Sequence, residues 1–346
     1  MKLKYLLSFF KTAKIPGLLP IMMDWKGMLR LHFLYSAFES GLLEALKEPC
    51  SRNGLLEKLE VKSPDILDAL LKVGVSIKEL QYQNGYYSIK GKRSLALTGE
   101  QNDIIAAVVQ ANVTYYNNSY RYAAERMRGA PLGDDLESAG EIIARFSKLT
   151  DPVMKSFLSE IIDGQDNLRV LDIGCGSGLL LKTIAGLIPN ASGVGIDIDK
   201  EVANQARQNI KNWDLESKFE IMEGDILSLL SNIEPVNLIT LMNLVYYIPV
   251  ESRVYFFSAL GSRLLPEGGL AIVMNMQGKD SDSAAANLNM ANASLKGVTP
   301  LPHSSELRDQ LLESGFKEVK VRKLMPGSSF VGIHALNFSK SDANHI

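Results

Sequence analysis

VLDIGCGSGLLL, residues 170–181, joins a strand to a helix through three glycines, and that juncture decides the fold. Small and apolar residues lead into Asp172. Gly174, Gly176 and Gly178 then alternate with Cys175 and Ser177, and GLLLKTIAGLI reads as a helix ended by Pro189. Glycines here let the backbone approach a ligand closely, because they carry no Cβ. The spacing is not that of a dinucleotide loop, G-x-G-x-x-G, since Leu179 stands where the third glycine belongs. No Lys-Ser or Lys-Thr follows, so it is not a P-loop either.

Outward from this loop, strand and helix alternate. SGVGIDI is the next strand and KEVANQARQNIKNW its helix; KFEIMEGD, VNLITLMN and GLAIVMNM are further strands with helices between them. This predicts an α/β fold with a Rossmann-like, doubly wound sheet. The end departs from a dinucleotide fold. FKEVKVRK (316–323) and FVGIHALNF (330–338) are joined by the short LMPGSS, which only an antiparallel hairpin allows. Three carboxylates lie at strand ends. Asp172 is within reach of an amino group. Asp197, 19 residues after Gly178, suits the two hydroxyls of a ribose diol, and Asp225 in EGDI suits an adenine amino group. The loop is thus expected to hold an amino acid and a nucleoside, with no phosphate. For Asp172 a role bracing the loop stands beside direct contact, and for Asp197 a helix N-cap is the weaker alternative.

VLDIGCGSG, GVGIDID, MEGDI and LLPEGG resemble the successive cofactor motifs of class I S-adenosylmethionine-dependent methyltransferases, over residues 168–338. The resemblance implies S-adenosyl-L-methionine as cofactor. It places Gly174, Gly176 and Gly178 around the methionine part, Asp197 on the ribose, Ile198 on the adenine face, and Asp225 with Ile226 at the adenine. Asp172 and Asn243 complete the implied cofactor set.

The amino-terminal part reads helical from about residue 26 to 128. Residues 54–60 form a short helix. Ser63 and Pro64 then start another, with Ile66, Leu67, Leu70 and Leu71 as its apolar face. Asn84-Gly85 within LQYQNGYYSI (80–89) signals a hairpin, because that turn needs positive φ at both central residues. Helix, helix, hairpin is a winged-helix order. DNA binding is not expected: the would-be recognition helix exposes Asp65 and Asp68, and its only base is Lys72. Residues 102–128 form another helical segment whose tyrosines, among them Tyr115, Tyr116 and Tyr120, spread around the helix and line a pocket or close an interface. GAPLGDD (129–135) is a linker. The expected division is a winged-helix-like dimerisation domain (1–100), a helical linker lining the substrate pocket (101–165) and a cofactor-binding domain (166–346).

This organisation is similar to that of plant and bacterial small-molecule O-methyltransferases, and the resemblance implies a homodimer whose amino-terminal domains interlock. It also makes Phe146 and Met154, in FSKLTDPVMKSFL, candidates for the substrate pocket alongside the tyrosines; as apolar residues on a helix they equally suit a core. Members of that family usually carry a catalytic His after the fourth strand. Here the segment is MNLVYYIPVESR, and Tyr246 aligns with that His. A tyrosine, titrating near 10, is a poor base at neutral pH, so Tyr246 is expected to orient the acceptor; the alternative is that Tyr246 and Tyr247 are one core and one surface aromatic. His303, just before Ser304 as the cap of a helix over 305–314, is the titrating candidate; Glu251, Asp280 and Asp282 are the remaining acids. The expected function is methylation of a small, largely apolar metabolite at oxygen or carbon. The alternative is a methyltransferase-fold protein that binds the cofactor without transferring its methyl group, in a rearrangement or a regulatory role.

Composition bounds the rest. The chain has 346 residues, 46% hydrophobic, enough for two domains. Its formal net charge of −2 offers nucleic acid no basic excess. Cys50 and Cys175, far apart, form neither a disulfide framework nor a metal-ligand spacing, and suit a reducing cytoplasm. MKLKYLLSFFKTAK is too short in its apolar run for a signal peptide. Residues 1–34 mix lysines and Arg30 with Trp25 and other apolar residues; packing on protein is expected, with weak membrane-surface contact as the second reading.

Overall fold

The computed structural model describes residue 4 and residues 18–99, 102–134, 142–143, 145–278, 282–336 and 338. The chain divides into two compact units: Met1–Asn117 with Glu141–Phe146, and Asn118–Gly140 with Ser147–Ile346. Residues 102–117 thus cluster with the first unit, where Gln110 Nε2 donates to Glu39 Oε1 at 2.6 Å.

In the first unit, helices surround a three-stranded antiparallel sheet of β1 (Cys50–Ser51), β2 (Leu80–Gln83) and β3 (Tyr86–Ile89), in the order β1-β3-β2. The Asn84-Gly85 turn forms as expected, with φ of 52° and 85°. Phe33, Leu42, Leu43, Leu55, Leu71 and Leu80 fill the core. Two details differ from expectation. The short helix spans Arg52–Lys58, because Ser51 Oγ accepts the Gly54 N–H at 3.2 Å and so starts it earlier. Ile66, expected on the apolar face of helix Pro64–Ser76, is 69% exposed; Leu67 and Leu71 are buried and turn it outward. The segment expected as one helix over 102–128 is broken into Asn102–Val113, Tyr115–Arg121 and Ala123–Arg126. At the first break Thr114 donates both its N–H and its hydroxyl to the Gln110 carbonyl, at 2.9 and 2.7 Å.

The second unit is built on a seven-stranded sheet, in the order β6-β5-β4-β7-β8-β10-β9. Its strands are β4 (Arg169–Ile173), β5 (Ser192–Asp197), β6 (Phe219–Glu223), β7 (Val236–Met242), β8 (Leu264–Asn275), β9 (Glu318–Lys323) and β10 (Phe330–Leu336). Strands β4 to β8 pair in parallel, and β10 runs antiparallel to both β8 and β9. This is the class I methyltransferase sheet that the terminal hairpin foretold. Apolar side chains cover both faces, with Leu171, Ile239, Leu241 and Ile272 in one buried cluster and Val170, Leu238, Ala271 and Val273 in another. That alternation is what the two-residue period of a strand produces when both faces are covered. Because β5 flanks β4 on one side and β7 on the other, the chain changes winding direction at β4. Open parallel sheets bind ligands beyond the carboxyl ends of the strands at such a point. Helix Ser304–Glu313 begins one residue earlier than expected: His303, not Ser304, holds the cap position, and its side chain makes no capping bond. Among the described residues, no helix is long and apolar enough to cross a membrane.

Gly193 faces the neighbouring strand so tightly that a Cβ would lie 1.9 Å from the Val170 carbonyl oxygen, whereas a Cβ at Gly186, in helix Leu179–Leu187, meets nothing within 4 Å. Gly193→Ala is expected to lower unfolding stability by about 3 kcal/mol, since the clash is with backbone. Gly186→Ala is expected to be neutral or to stabilise by up to about 1 kcal/mol. Urea unfolding midpoints of the two variants check both values.

Candidate cofactor and active site

The glycine loop leaves the end of β4 with Gly174, Gly176 and Gly178 all left-handed, at φ of 67°, 54° and 78°. Any other residue would be strained there. Gly174 and Cys175 donate their N–H groups to the Ile196 carbonyl on β5, at 2.8 and 3.0 Å. Gly176 donates its N–H to Asp197 Oδ2 at 2.9 Å, and Asn209 donates to the Ser177 carbonyl at 3.0 Å. The loop is therefore fixed to β5 and to helix Lys200–Asn212 before any ligand arrives. A Cβ on Gly174 would lie 2.5 Å from Leu244 Cδ1, but one on Gly176 would meet open space. The cradle is closed behind and open in front.

The three strand-end carboxylates do different work. Asp197 Oδ1 accepts the Asp199 N–H at 3.1 Å, so two lone pairs of its carboxylate serve the loop and the rest remain for a ligand. Helix capping falls to Asp199, which accepts from the N–H groups of Glu201 and Val202. Beside Asp197, Ile198 is 74% exposed at the strand tip, an apolar surface of the kind a purine stacks on. Asp225 caps helix Ile226–Leu229, accepting from the Ser228 N–H at 3.1 Å. The Ile226 side chain, expected at the adenine, is instead buried in the core cluster with Leu230 and Ile233, where its burial is most favourable. Asp172 is buried and accepts from Thr240 Oγ1 on β7 at 2.6 Å. It ties β4 to β7 rather than bracing the loop. Burial raises its pKa to about 7, the nearby Asp197 charge adds to the rise, and the Thr240 hydroxyl opposes it. Burial also pushes the Cys175 thiol far up, which makes it inert.

At the end of β7, Asn243 adopts a left-handed φ of 52° and donates its N–H to the Val273 carbonyl at 2.8 Å. The chain then makes a 3-10 turn over Val245–Tyr247. Tyr246 is buried and Tyr247 is 39% exposed, with ring centroids 4.8 Å apart. Burial of the Tyr247 phenol raises its pKa, the Asp197 charge adds to the rise, and a hydrogen bond with Tyr246 opposes it. Sequence reasoning named Tyr246 and weighed it with Tyr247 as a core and a surface aromatic, which their burial matches, but passed over Thr240 and Leu244.

The remaining candidates are dispersed. His303 is exposed, and Gln277, next to it in a bridge, donates its N–H to the Pro302 carbonyl. Tyr115, Tyr116 and Phe146 lie in the first unit, where the rings of Tyr115 and Tyr116 meet edge to face. Tyr120 lies in the second unit and its hydroxyl donates to Asn287 Oδ1 at 2.9 Å. Met154 is packed in the core cluster with Phe157, Leu158 and Phe330, the fate of an apolar residue on the inner face of helix Asp151–Ile161. Asp280 falls outside the described residues. Asp282 accepts the Ala284 and Ala285 N–H groups as a helix cap, and hydrogen bonding, first of all from the Ser329 side chain, lowers its pKa. Asp151, not singled out from the sequence, is raised to about 6 by burial.

Because Asp172 holds its proton to about 7 in the folded chain and loses it near 4 when unfolded, the native state binds the extra proton between those values. Stability must then fall as pH rises through this window. Comparing wild type with Asp172→Asn isolates this from other groups. Between pH 4 and 7.5 the wild type is expected to lose on the order of 2 kcal/mol relative to the variant, as read by urea unfolding at each pH.

Residues 170–269 match the family described as a methyltransferase domain. The chain is similar to the rRNA N(6)-adenosine-methyltransferase metl-5 of Caenorhabditis elegans, 32% identical over 73 residues, which are 20% of this chain and 34% of that protein. The chain thus spans about a third of that curated relative. Over nearly its whole length it is similar in structure to the mitomycin 7-O-methyltransferase MmcR, with a TM-score of 0.76, 15% identity, and 94% of this chain and 99% of that chain covered. It is likewise similar to human N-acetylserotonin methyltransferase in complex with SAM, at a TM-score of 0.72, 17% identity, and the same coverage. At those identities the likeness is one of fold. Residues 170–269 thus carry a methyltransferase domain, on a sheet of the class I methyltransferase order.

Proposed function

We propose that this chain transfers a methyl group from S-adenosylmethionine to oxygen or carbon of a small, largely apolar metabolite. The observation that supports this most is the Gly176–Asp197 hydrogen bond beside the exposed Ile198: a glycine cradle, a carboxylate with lone pairs to spare and an apolar ledge stand together at the β4–β5 edge. These residues fit an amino acid joined to a nucleoside. Gly174, Gly176 and Gly178 would face the methionine part, Asp197 the ribose, Ile198 the purine face and Asp225 its amino group, with Asn243 beside them. When bound, the cofactor supplies a methyl carbon already activated by its sulfonium. What is left to the protein is alignment and exclusion of water. Tyr246 orients the acceptor, and His303 is the group that takes a proton where the acceptor has one to lose.

The test is incubation with S-adenosylmethionine labelled in its methyl group and fractionated metabolite extracts. Label in a small product supports transfer; tight binding of the cofactor with no labelled product favours the rearrangement or regulatory alternative. Asp197→Ala is expected to weaken cofactor binding by about 2–4 kcal/mol by calorimetry, because charge-assisted hydrogen bonds are the strong ones. Tyr246→Phe is expected to lower turnover about 10- to 100-fold without changing cofactor affinity. If His303 is the base, His303→Ala lowers turnover further; full activity in both variants would remove both residues from the chemistry.

We also propose a homodimer through residues 1–100. Helix Leu18–Glu39 exposes Ile21, Met22, Met23, Trp25, Met28 and Leu31, more apolar surface than a lone unit leaves in water. Light scattering is expected to give about twice 38.1 kDa. A monomer mass, with the helix protected instead by added anionic vesicles, would favour the membrane-surface reading of residues 1–34.

A further inference from the structure

Arg253 lies in helix Arg253–Gly261 and is 1% exposed, the largest fully buried side chain among the described residues. A buried cation is retained only where its donors are met. Its Nε donates to the Ile248 carbonyl at 3.3 Å, its Nη2 donates to Thr299 Oγ1 at 2.8 Å, and its Nη1 lies 3.7 Å from Glu306 Oε1. Thr299 in turn donates twice to one atom, the Tyr246 carbonyl oxygen, from its N–H at 2.7 Å and from its Oγ1 at 2.9 Å. The buried Asn292, in helix Ser283–Ala293, donates to the Thr299 carbonyl at 3.3 Å. These bonds converge on the short turn after β7. Arg253 holds its last carbonyl, Ile248, and Thr299 holds Tyr246.

Leu244, just before the turn, closes the back of Gly174 and so sets the turn against the glycine loop; Tyr246 is buried, and Tyr247, its ring 4.8 Å from that of Tyr246, is 39% exposed. A 3-10 turn of three residues carries little stability of its own. Its orientation must be imposed from outside, and bonds from Arg253 and Thr299 reach its Ile248 and Tyr246 carbonyls. Apolar packing under the turn would hold it in place without setting the rotation of Tyr247 about the chain; two directional bonds to the preceding carbonyl do set it.

We propose that Arg253 and Thr299 are positioning residues, which fix the 245–248 turn through the Tyr246 and Ile248 carbonyls and so hold the partly exposed Tyr247 at the cofactor cradle, where Leu244 packs behind Gly174. Tyr247 is thereby assigned a contact with the bound cofactor, separate from the acceptor-side role of Tyr246. This rests on the methyltransferase function proposed above.

The test is a double-variant cycle read by calorimetry with S-adenosylhomocysteine as the probe, on the full chain, with thermal melts showing each variant folded at the titration temperature. Thr299→Val keeps the shape and the N–H bond but removes the hydroxyl that joins Arg253 to Tyr246. Thr299→Val and Tyr247→Phe are each expected to weaken binding about 5- to 10-fold, the loss of one well-placed hydrogen bond, and Thr299→Ser to stay within about twofold of wild type. Because Thr299 acts through Tyr247, the double variant Thr299→Val/Tyr247→Phe is expected to bind within about twofold of Tyr247→Phe alone. Should Thr299→Val not fold, Thr299→Ala takes its place in the cycle. Independent factors that multiply in the double variant, or wild-type affinity in Thr299→Val, would overturn the proposal while leaving the function standing. A wild type that fails to bind the probe would overturn the function, and this inference with it.

Discussion

The hydrogen bond from the Gly176 N–H to Asp197 joins the tips of β4 and β5, and the rest of the site is arranged around it. It can form because Gly174, Gly176 and Gly178 accept a left-handed backbone, which brings the loop N–H groups round to face the neighbouring strand. One carboxylate then does two tasks. It accepts from the Gly176 N–H and from the Asp199 N–H, and so fastens the loop to the end of β5. A loop already in its binding shape spends less of the binding free energy on ordering itself.

Behind this edge the sheet carries an unusual polar pair for so apolar an interior. Asp172 and Thr240 are buried between β4 and β7, and both strands otherwise present Leu, Ile and Val to the two cores. A carboxyl with a pKa near 7, next to a second carboxylate, makes the local charge of the site depend on pH around neutrality.

The fold was legible because it rests on local, periodic signals. Apolar runs bounded by glycine and acid mark β4 to β6, and the short LMPGSS connection forces the antiparallel end. The Asn84-Gly85 turn was equally plain, since few residues tolerate its φ values. Where expectation and structure part, the difference is a residue or two at an element's end. The Ser51 hydroxyl started a helix early by capping Gly54, and His303 took a cap position that Ser304 was expected to fill, without a capping bond of its own. Ile66 and Met154 show the limit of periodicity: it marks residues as apolar but does not say which neighbours leave room for them.

The sequence by itself determined the strand–loop–helix juncture at 170–181, the three strand-end carboxylates and the sheet's terminal hairpin, because each depends on residue types a few positions apart. Only the tertiary structure decided what those residues touch. It gave Asp172 to Thr240, 68 positions away, and Tyr246 to Thr299, 53 positions away. It buried Ile226 and left Ile198 in the open, though both are isoleucines directly following a strand-end aspartate. No spacing rule reaches across such distances: partners drawn from separate strands and helices are set by how the sheet winds and packs, and that is fixed only when the whole chain has folded.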